Sequence, residues 1–120
     1  MATVLVVEDT LTQAEIITGT LRKAGFNAIS VPSSEDAKVK IEQQKPDAIV
    51  LDVVLPGASG FEFCRELKDD PSTANIPVVL CTTKNSEMDR FWGMKQGASS
   101  FVTKPIDEEE LVNAVKSVTR

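Results

Sequence analysis

Five short apolar segments alternate along this chain with five longer amphipathic segments, and this alternation constrains the fold more than any other feature of the sequence. The apolar segments comprise residues 4–7, 28–31, 48–51, 78–81 and 101–102. They are mostly rich in β-branched residues and too short for helices, so they predict strands. Because their apolar character is unbroken rather than alternating, we expect both faces of the sheet to be covered.

The intervening segments have the periodicity of helices. In residues 10–24, Ile17 and Leu21 lie four residues apart, and Gly25 follows as a stop signal. The other predicted helices comprise residues 34–43, 59–68, 86–96 and 107–118. A strand-helix unit repeated five times predicts a parallel sheet with helices on both faces.

The fourth predicted helix carries four large apolar residues: Met88, Phe91, Trp92 and Met94. For most of them we expect packing in the core. They span too wide an arc for one narrow stripe, so we expect at least one on the surface. Trp92 is the candidate for a contact with a partner protein.

Composition narrows the function further. The chain has 120 residues, about one domain, and a formal net charge of −5. This acidic balance argues against binding to nucleic acid or to an anionic membrane surface. The sequence has no histidine, so Ser-His-Asp triads and His-ligated zinc are excluded, and any metal site must use oxygen ligands.

Other sequence features predict an ordinary cytoplasmic protein, with a monomer as the favoured state. The N-terminus lacks the basic start of a signal peptide, and the apolar segments are too short to cross a bilayer. Cys64 and Cys81 form no CxxC pair, so we expect two buried, unreactive thiols in a reducing compartment.

Charged and hydroxyl residues follow four of the five predicted strands. They are Glu8 and Asp9 after the first strand, Asp52 after the third, Thr82 after the fourth and Lys104 after the fifth. Ligands in open α/β sheets bind beyond the carboxyl ends of the strands. We therefore expect three carboxylates, a hydroxyl and a lysine to converge at one edge of the sheet.

This group of residues suits magnesium-assisted phosphoryl transfer. Crowded carboxylates repel each other, and a hard divalent cation relieves that repulsion. Asp9 and Asp52 are the expected direct ligands, with Glu8 acting through water. A free carboxylate beside the metal can attack phosphorus, while Lys104 neutralises the phosphoryl oxygens and Thr82 donates a hydrogen bond to them.

Each residue taken alone has a simpler interpretation. Glu8 and Asp9 could cap the first helix, and Asp52 could belong to the turn before Pro56 and Gly57. Thr82 could end a strand, and Lys104 could be a solvated surface charge. The four positions together, each at a strand end, favour the phosphoryl-transfer site.

The chain resembles the receiver domains of two-component response regulators over essentially its whole length. The resemblance rests on Glu8-Asp9, on residues 52–56 with Gly60, on residues 77–82, and on Gly97-Ala98 leading to Lys104-Pro105. It implies a flavodoxin-like (βα)5 fold with strand order 2-1-3-4-5, and a single receiver domain over residues 1–120 without an output domain.

The resemblance also assigns roles to residues. It implies that Asp52 is the phosphoacceptor, that Asp9, Asp52 and the backbone carbonyl of Val54 bind magnesium, and that Glu8 does so through water. Lys104 resembles the phosphate-binding lysine, and its bond to Pro105 resembles one that is usually cis.

The implied switch involves Thr82, which follows the phosphoryl group, and Phe101, the aromatic residue that turns inward on activation. The face formed by the fourth helix, fifth strand and fifth helix would then change. We place a partner face there, at Trp92, Lys95 and Phe101.

The implied function is phosphoryl acceptance from a histidine kinase, followed by altered binding to a downstream motility or signalling protein. Residues 82–84, 92–93, 96–98 and 103–105 resemble the single-domain PilH-type regulators of twitching motility and phototaxis. We expect no enzyme turnover on external substrates, only slow self-dephosphorylation.

Three positions depart from common family patterns: Glu8 replaces a second Asp, Phe101 a frequent Tyr, and Thr83 a small Ala or Gly. The branched Thr83 is expected to narrow access to Asp52.

Three other functions remain open from the residues alone. A phosphohydrolase would often need an acid where Val54 stands, a flavin or nucleotide module would prefer a phosphate-binding loop after the first strand, and a degenerate receiver would serve only as a scaffold.

Overall fold

Five parallel strands and five helices alternate in the computed structural model, which describes residues 2–119. The strands are β1 (Thr3–Val7), β2 (Asn27–Val31), β3 (Ala48–Leu51), β4 (Val78–Thr82) and β5 (Ser100–Thr103). The helices are α1 (Leu11–Lys23), α2 (Ser34–Gln43), α3 (Gly60–Asp69), α4 (Glu87–Lys95) and α5 (Glu108–Thr119). Every element predicted from the sequence is present, and no predicted end differs from the observed end by more than one residue.

The strands form one sheet in the order β2-β1-β3-β4-β5, and all four pairings are parallel. This confirms the predicted strand order. The three central strands are apolar along almost their whole length because successive side chains point to opposite faces and each face is covered.

Two hydrophobic clusters lie on the two faces of the sheet. On one face, alternate strand residues such as Leu5 and Ile49 pack with residues of α2 and α3, including Ile41 and Phe63. On the other face, the intervening strand residues pack with residues of α1 and α5. Both clusters hold the strands rigidly, so residues at the strand ends start from a fixed backbone.

Helix α4 packs on the sheet through a glycine. Gly93 is the only buried residue of α4, and a Cβ atom added there would lie 2.6 Å from Cδ1 of Leu80 and 3.4 Å from Cδ2 of Phe101. A contact this close leaves no room for a large side chain on the inner face of α4. The large side chains of this helix must therefore lie on its flanks and outer face.

The prediction that most apolar residues of α4 pack in the core is consequently wrong. The exposed fractions are 73% for Met88, 59% for Phe91, 51% for Trp92 and 49% for Met94. The physical reason is the close approach of α4 at Gly93. The prediction that at least one of them lies on the surface is confirmed, and Trp92 is among the exposed residues.

Glycine is required at Gly60, the first residue of α3. A Cβ atom there would lie 2.1 Å from the carbonyl oxygen of Asp52 and 2.7 Å from the Cα atom of Val53, and both neighbours are backbone. We predict that Gly60→Ala lowers the free energy of unfolding by about 3 kcal/mol, since overpacking against backbone cannot relax by moving a side chain.

Gly19, inside α1, provides the matched control. A Cβ atom there meets nothing within 4 Å, so Gly19→Ala should raise the free energy of unfolding by up to about 1 kcal/mol through helix propensity. Urea unfolding of both variants measures the contrast. Equal effects of the two substitutions would contradict the assigned role of Gly60.

Candidate functional site

The sheet fixes the backbone of the residues that follow its strands. The N–H of Asp52 donates to the carbonyl of Val7 across 3.1 Å, and the N–H of Lys104 donates to the carbonyl of Thr82 across 3.0 Å. Asp52 and Lys104 therefore continue the hydrogen-bond ladder just beyond β3 and β5. Their side chains leave the carboxyl edge of the sheet from positions set by neighbouring strands.

The ammonium group of Lys104 lies between two carboxylates. Its Nζ atom donates to Oδ2 of Asp52 across 2.9 Å and also to Oε1 of Glu8. The side chains are 7% exposed for Lys104, 8% for Asp52 and 2% for Glu8. Charge-assisted hydrogen bonds between groups this well buried stay strong because water does not screen them.

Backbone amides bind the second oxygen of each buried carboxylate. Oδ1 of Asp52 accepts from the N–H of Val54 across 3.1 Å, and Oε2 of Glu8 accepts from the N–H of Thr10, also across 3.1 Å. Each carboxylate thus has one oxygen on the lysine and one on the main chain. This fixes the orientation of both groups.

Asp9 completes an acidic cluster. Oxygen atoms of Glu8, Asp9 and Asp52 lie within 4.8 Å of one another, and Asp9 is exposed while the other two are buried. Three carboxylates face the single ammonium group of Lys104, so negative charge remains in excess. An all-oxygen donor set with excess negative charge fits a hard cation such as magnesium.

The ionisation of the two most buried partners reflects this balance. Burial raises the pKa of the Glu8 carboxyl, and the hydrogen bond from Lys104 only partly offsets that effect. Burial also acts to lower the pKa of Lys104, but its hydrogen bonds to Glu8 and Asp52 and the negative charges of these carboxylates together outweigh burial, so the pKa is raised. Lys104 therefore remains a cation at neutral pH.

A cleft of about 470 Å³ opens above these groups. Its walls include Asp9, Asp52, Val54, Thr83 and Lys104, so both the expected phosphoacceptor and the residue expected to narrow access to it face the same space. Val54 is 53% exposed, and Thr83 is exposed as well. Glu8 lies beneath the cleft, buried against Lys104.

Gln13 also lines the cleft and was not predicted as a site residue. Thr10 and Gln13 have the spacing of a capping box, a pattern that favours a structural role. In the structure Thr10 makes no side-chain cap to α1, so the pattern is not used for capping. The helical spacing alone could have placed Gln13 on the turn of α1 next to Asp9.

The two expected switch residues lie below the cleft. Thr82 is fully buried at the end of β4, and its Oγ1 accepts from the N–H of Lys84 across 3.3 Å. Phe101 is half-buried in β5, with the guanidinium of Arg90 5.1 Å above the centre of its ring. Neither side chain lines the cleft in this conformation.

The residues of the predicted partner face lie on different sides of α4. Trp92 borders a groove between α3 and α4, together with Phe61. The ammonium of Lys95 lies 5.6 Å from the ring centre of Phe91 on the outer side of the helix. Phe101 lies in the strand beneath α4.

Two smaller sequence expectations also have a structural outcome. The Lys104–Pro105 peptide bond is cis, as the resemblance implied. Cys64 and Cys81 are both buried, and burial raises the pKa of these thiols to about 11 and about 12 respectively. At neutral pH both are therefore unreactive thiols rather than thiolates.

Comparison with known families settles what kind of domain carries this site. Residues 4–116 match the family model described as the response regulator receiver domain. The chain belongs to this family. Receiver domains accept phosphoryl groups from histidine kinases and bind magnesium at an acidic pocket, and this chain has an acidic cluster of Glu8, Asp9 and Asp52.

Among curated relatives, this receiver domain is 39% identical to the protein PilH of Pseudomonas aeruginosa over 118 residues, which is 98% of each chain. It is also 40% identical to the response regulator PleD of Caulobacter vibrioides over 119 residues, but there it spans only 26% of the relative. Both full-length and partial matches are therefore found among response regulators.

Solved structures agree with the fold of this receiver domain. The Vibrio cholerae chemotaxis protein CheY4 superposes with a TM-score of 0.91 at 28% identity, covering 98% of each chain. The BeF3-activated N-terminal receiver domain of Klebsiella pneumoniae RstA gives a TM-score of 0.90 at 28% identity, also covering 98% of each chain.

Within residues 2–119, no helix is both long enough and apolar enough to cross a membrane.

Removal of the Lys104 ammonium tests the electrostatic balance of the site. We predict that Lys104→Met lowers the free energy of unfolding at neutral pH by about 3 kcal/mol, since it leaves buried carboxylates without a cation. The pKa of the Glu8 carboxyl, already raised by burial, should rise further in the folded variant. The folded state then retains protons that the unfolded state releases. The loss in the free energy of unfolding should therefore shrink as pH falls toward 4.5, the ordinary pKa of the Glu8 carboxyl.

Lys116→Met is the matched control, because Lys116 is exposed on α5 and forms no ion pair within residues 2–119. Urea unfolding at several pH values measures both variants. A loss for Lys104→Met no greater than for Lys116→Met would refute the bridging role.

Proposed function

We propose that this receiver domain accepts a phosphoryl group on Asp52 from a histidine kinase and thereby changes its affinity for a partner protein in motility or taxis signalling. The observation that carries the proposal is the geometry at Asp52. One of its carboxylate oxygens is bound by the Lys104 ammonium at 2.9 Å, and the group borders a cleft beside two further carboxylates.

Magnesium is the proposed cofactor. Asp9, Asp52 and the backbone carbonyl of Val54 would hold it directly, and Glu8 would bind through water. The excess of carboxylates over ammonium groups in this cluster supports that choice. When bound, the metal supplies positive charge that neutralises phosphoryl oxygens during transfer.

The residues of the chain perform the transfer by positioning. A lone pair of a carboxylate oxygen of Asp52 forms the new bond to phosphorus while the bond from phosphorus to the imidazole nitrogen of the kinase phosphohistidine breaks. The imidazole leaves with that electron pair and takes up a proton. Lys104, already beside Asp52, pairs with a phosphoryl oxygen, which costs little reorganisation.

Slow self-dephosphorylation would reset the domain. Water attacks phosphorus, the acyl phosphate bond breaks, and the carboxylate of Asp52 and inorganic phosphate result. Since this consumes only the domain's own phosphoryl group, no external substrate is required. The chain has no histidine to act as a general base for that water, which is consistent with a slow reaction.

The proposed switch couples Asp52 to the buried Thr82 and to Phe101. Thr82 would turn its hydroxyl toward the phosphoryl group, and the ring of Phe101 would move further inward, away from Arg90. The partner face proposed at Trp92, Lys95 and Phe101 would change with it. A partner that binds one state more tightly by a few kcal/mol is sufficient for switching.

The pathway and the domain organisation are proposed from the relatives. Coverage of 98% of PilH supports a single receiver domain over residues 1–120 whose output is a separate protein. PilH and the chemotaxis protein CheY4 together support motility or taxis as the process.

Fluorescence of Trp92, the only tryptophan, tests phosphoryl acceptance and its transmission to α4. Magnesium and then beryllofluoride, which mimics a phosphoryl group on a carboxylate, should change the emission of the wild-type protein. Asp52→Asn should abolish the beryllofluoride response. The proposal fails if acetyl phosphate with magnesium gives no phosphoryl adduct on Asp52 by mass spectrometry.

Thr83 borders the same cleft as Asp52, so its size should control access of small reactants. We predict that Thr83→Ala speeds phosphorylation by acetyl phosphate, or hydrolysis of the product, several-fold. Thr83→Ser, which keeps the hydroxyl and removes the methyl group, separates steric from polar effects. Rates that are unchanged in both variants would show that Thr83 does not restrict access.

A further inference from the structure

Helix α4 exposes four large apolar side chains to solvent. They lie on the flanks and outer face of the helix, opposite the buried Gly93, and comprise Met88, Phe91, Trp92 and Met94. Their exposed fractions lie between 49% and 73%. Single exposed apolar residues are ordinary, but four large ones on a helix of nine residues mark an interaction site.

The apolar surface continues into the groove between α3 and α4. This groove has a volume of about 530 Å³, and Phe61 and Trp92 supply its apolar lining. It lies on the side of α4 away from the Arg90–Phe101 contact. We call the four apolar residues of α4 together with this groove the α3–α4 surface.

Some charged side chains around the α3–α4 surface form ion pairs or hydrogen bonds within the chain, and others do not. The guanidinium of Arg65 pairs with Asp69 at 3.5 Å and also donates to the side-chain oxygen of Gln96 at 3.3 Å. The carboxylate of Glu66 pairs with Lys38 at 3.0 Å. These groups already have partners within the chain.

Two carboxylates on the same surface have none. Glu62 lines the groove, and Glu87 lies one helical turn before Phe91 on the outer side of α4. Neither forms an ion pair within residues 2–119. The nearby cation Lys95 is placed over the ring of Phe91. Arg90, the other cation of α4, is placed over the ring of Phe101. Among the charged side chains of α4 and the groove, only those of Glu62 and Glu87 thus form no ion pair, hydrogen bond or cation–π contact within residues 2–119.

We propose that the α3–α4 surface binds an amphipathic helix of a partner protein, with an apolar face for α4 and the groove and with basic residues for Glu62 and Glu87. An exposed helix face with large apolar residues beside a groove suits a helix with anchors at i, i+3, i+4 and i+7. A second copy of this chain fits less well, because it carries the same acidic excess of −5.

The proposal names the kind of partner for the proposed function, yet binding to this surface does not itself require phosphorylation. The test therefore uses Asp52→Asn beside the wild-type protein. A failure of peptide binding with intact Asp52 phosphorylation would remove this proposal alone. A failure of phosphorylation with intact peptide binding would remove only the proposed function.

Two model peptides without tryptophan are suitable probes. One has leucines at the helical anchor spacing and lysines elsewhere, and the other replaces every lysine with glutamate. Titration is followed by the emission of Trp92. We expect the Leu/Lys peptide to shift the emission to shorter wavelength and to bind about tenfold more tightly than the Leu/Glu peptide, since only its lysines can pair with Glu62 and Glu87. No binding, or equal binding of both peptides, would overturn the proposal.

Paired variants distinguish peptide binding at the α3–α4 surface from nonspecific attraction of a basic peptide to an acidic protein. Met88 and Leu11 are both 73% exposed, but Leu11 lies on α1. Met88→Ala should weaken binding of the Leu/Lys peptide at least about fivefold and Leu11→Ala should leave it unchanged, because the peptide would bury only the side chain on α4.

A second pair tests the charge. Glu62→Gln should weaken binding of the Leu/Lys peptide about threefold, whereas Glu15→Gln, on the exposed side of α1, should not. Equal losses in the members of either pair would overturn the proposal. Sedimentation of the wild-type protein as a dimer that Met88→Ala converts to a monomer would also overturn it, by assigning the surface to a second copy.

Discussion

The ammonium group of Lys104 lies between Asp52 and Glu8, and the organisation of the site depends on this contact. It joins residues that directly follow β1, β3 and β5 at the carboxyl edge of the sheet, although Glu8 and Lys104 are 96 residues apart in the chain. Buried carboxylates at this spacing are costly without a cation. The lysine relieves part of that cost, and the remaining negative charge is what makes the cleft suitable for a metal and then for a phosphoryl group.

The fold supports this contact by placing two apolar layers around a parallel sheet. The hydrophobic clusters hold the strands, and backbone hydrogen bonds extend the ladder to Asp52 and Lys104. Rigid strand ends keep the reactive side chains close without requiring them to reorganise, which favours transfer reactions whose catalysis is mainly positioning and electrostatics. The proposed binding surface at α4 lies outside this rigid core, where a helix attached through Gly93 leaves its large side chains exposed.

Most of the fold could be predicted from local patterns, and the failures are informative. The unbroken apolar segments, rich in β-branched residues, predicted the strand bounds to within one residue. The positions directly after these segments predicted that four residues lie close together: Glu8, Asp9, Asp52 and Lys104. Helix α4 was misjudged because amphipathic periodicity assumes that large apolar residues point inward. The close contact at Gly93 reverses that assumption, and nothing in a single helical pattern reveals it. Gln13 was missed because it lies in α1, whereas the site was predicted only from residues that directly follow the strands.

The sequence by itself determined the order of elements, the covered sheet and the set of residues at the strand ends, because periodicity and strand-end position are local properties of the chain. Only the tertiary structure decided which carboxylates share Lys104, that Glu8 lies beneath the cleft while Asp9 is exposed, and which side of α4 faces solvent. These outcomes depend on distances between segments far apart in sequence. Packing density and the desolvation of charge set those distances, and neither is encoded in any one segment.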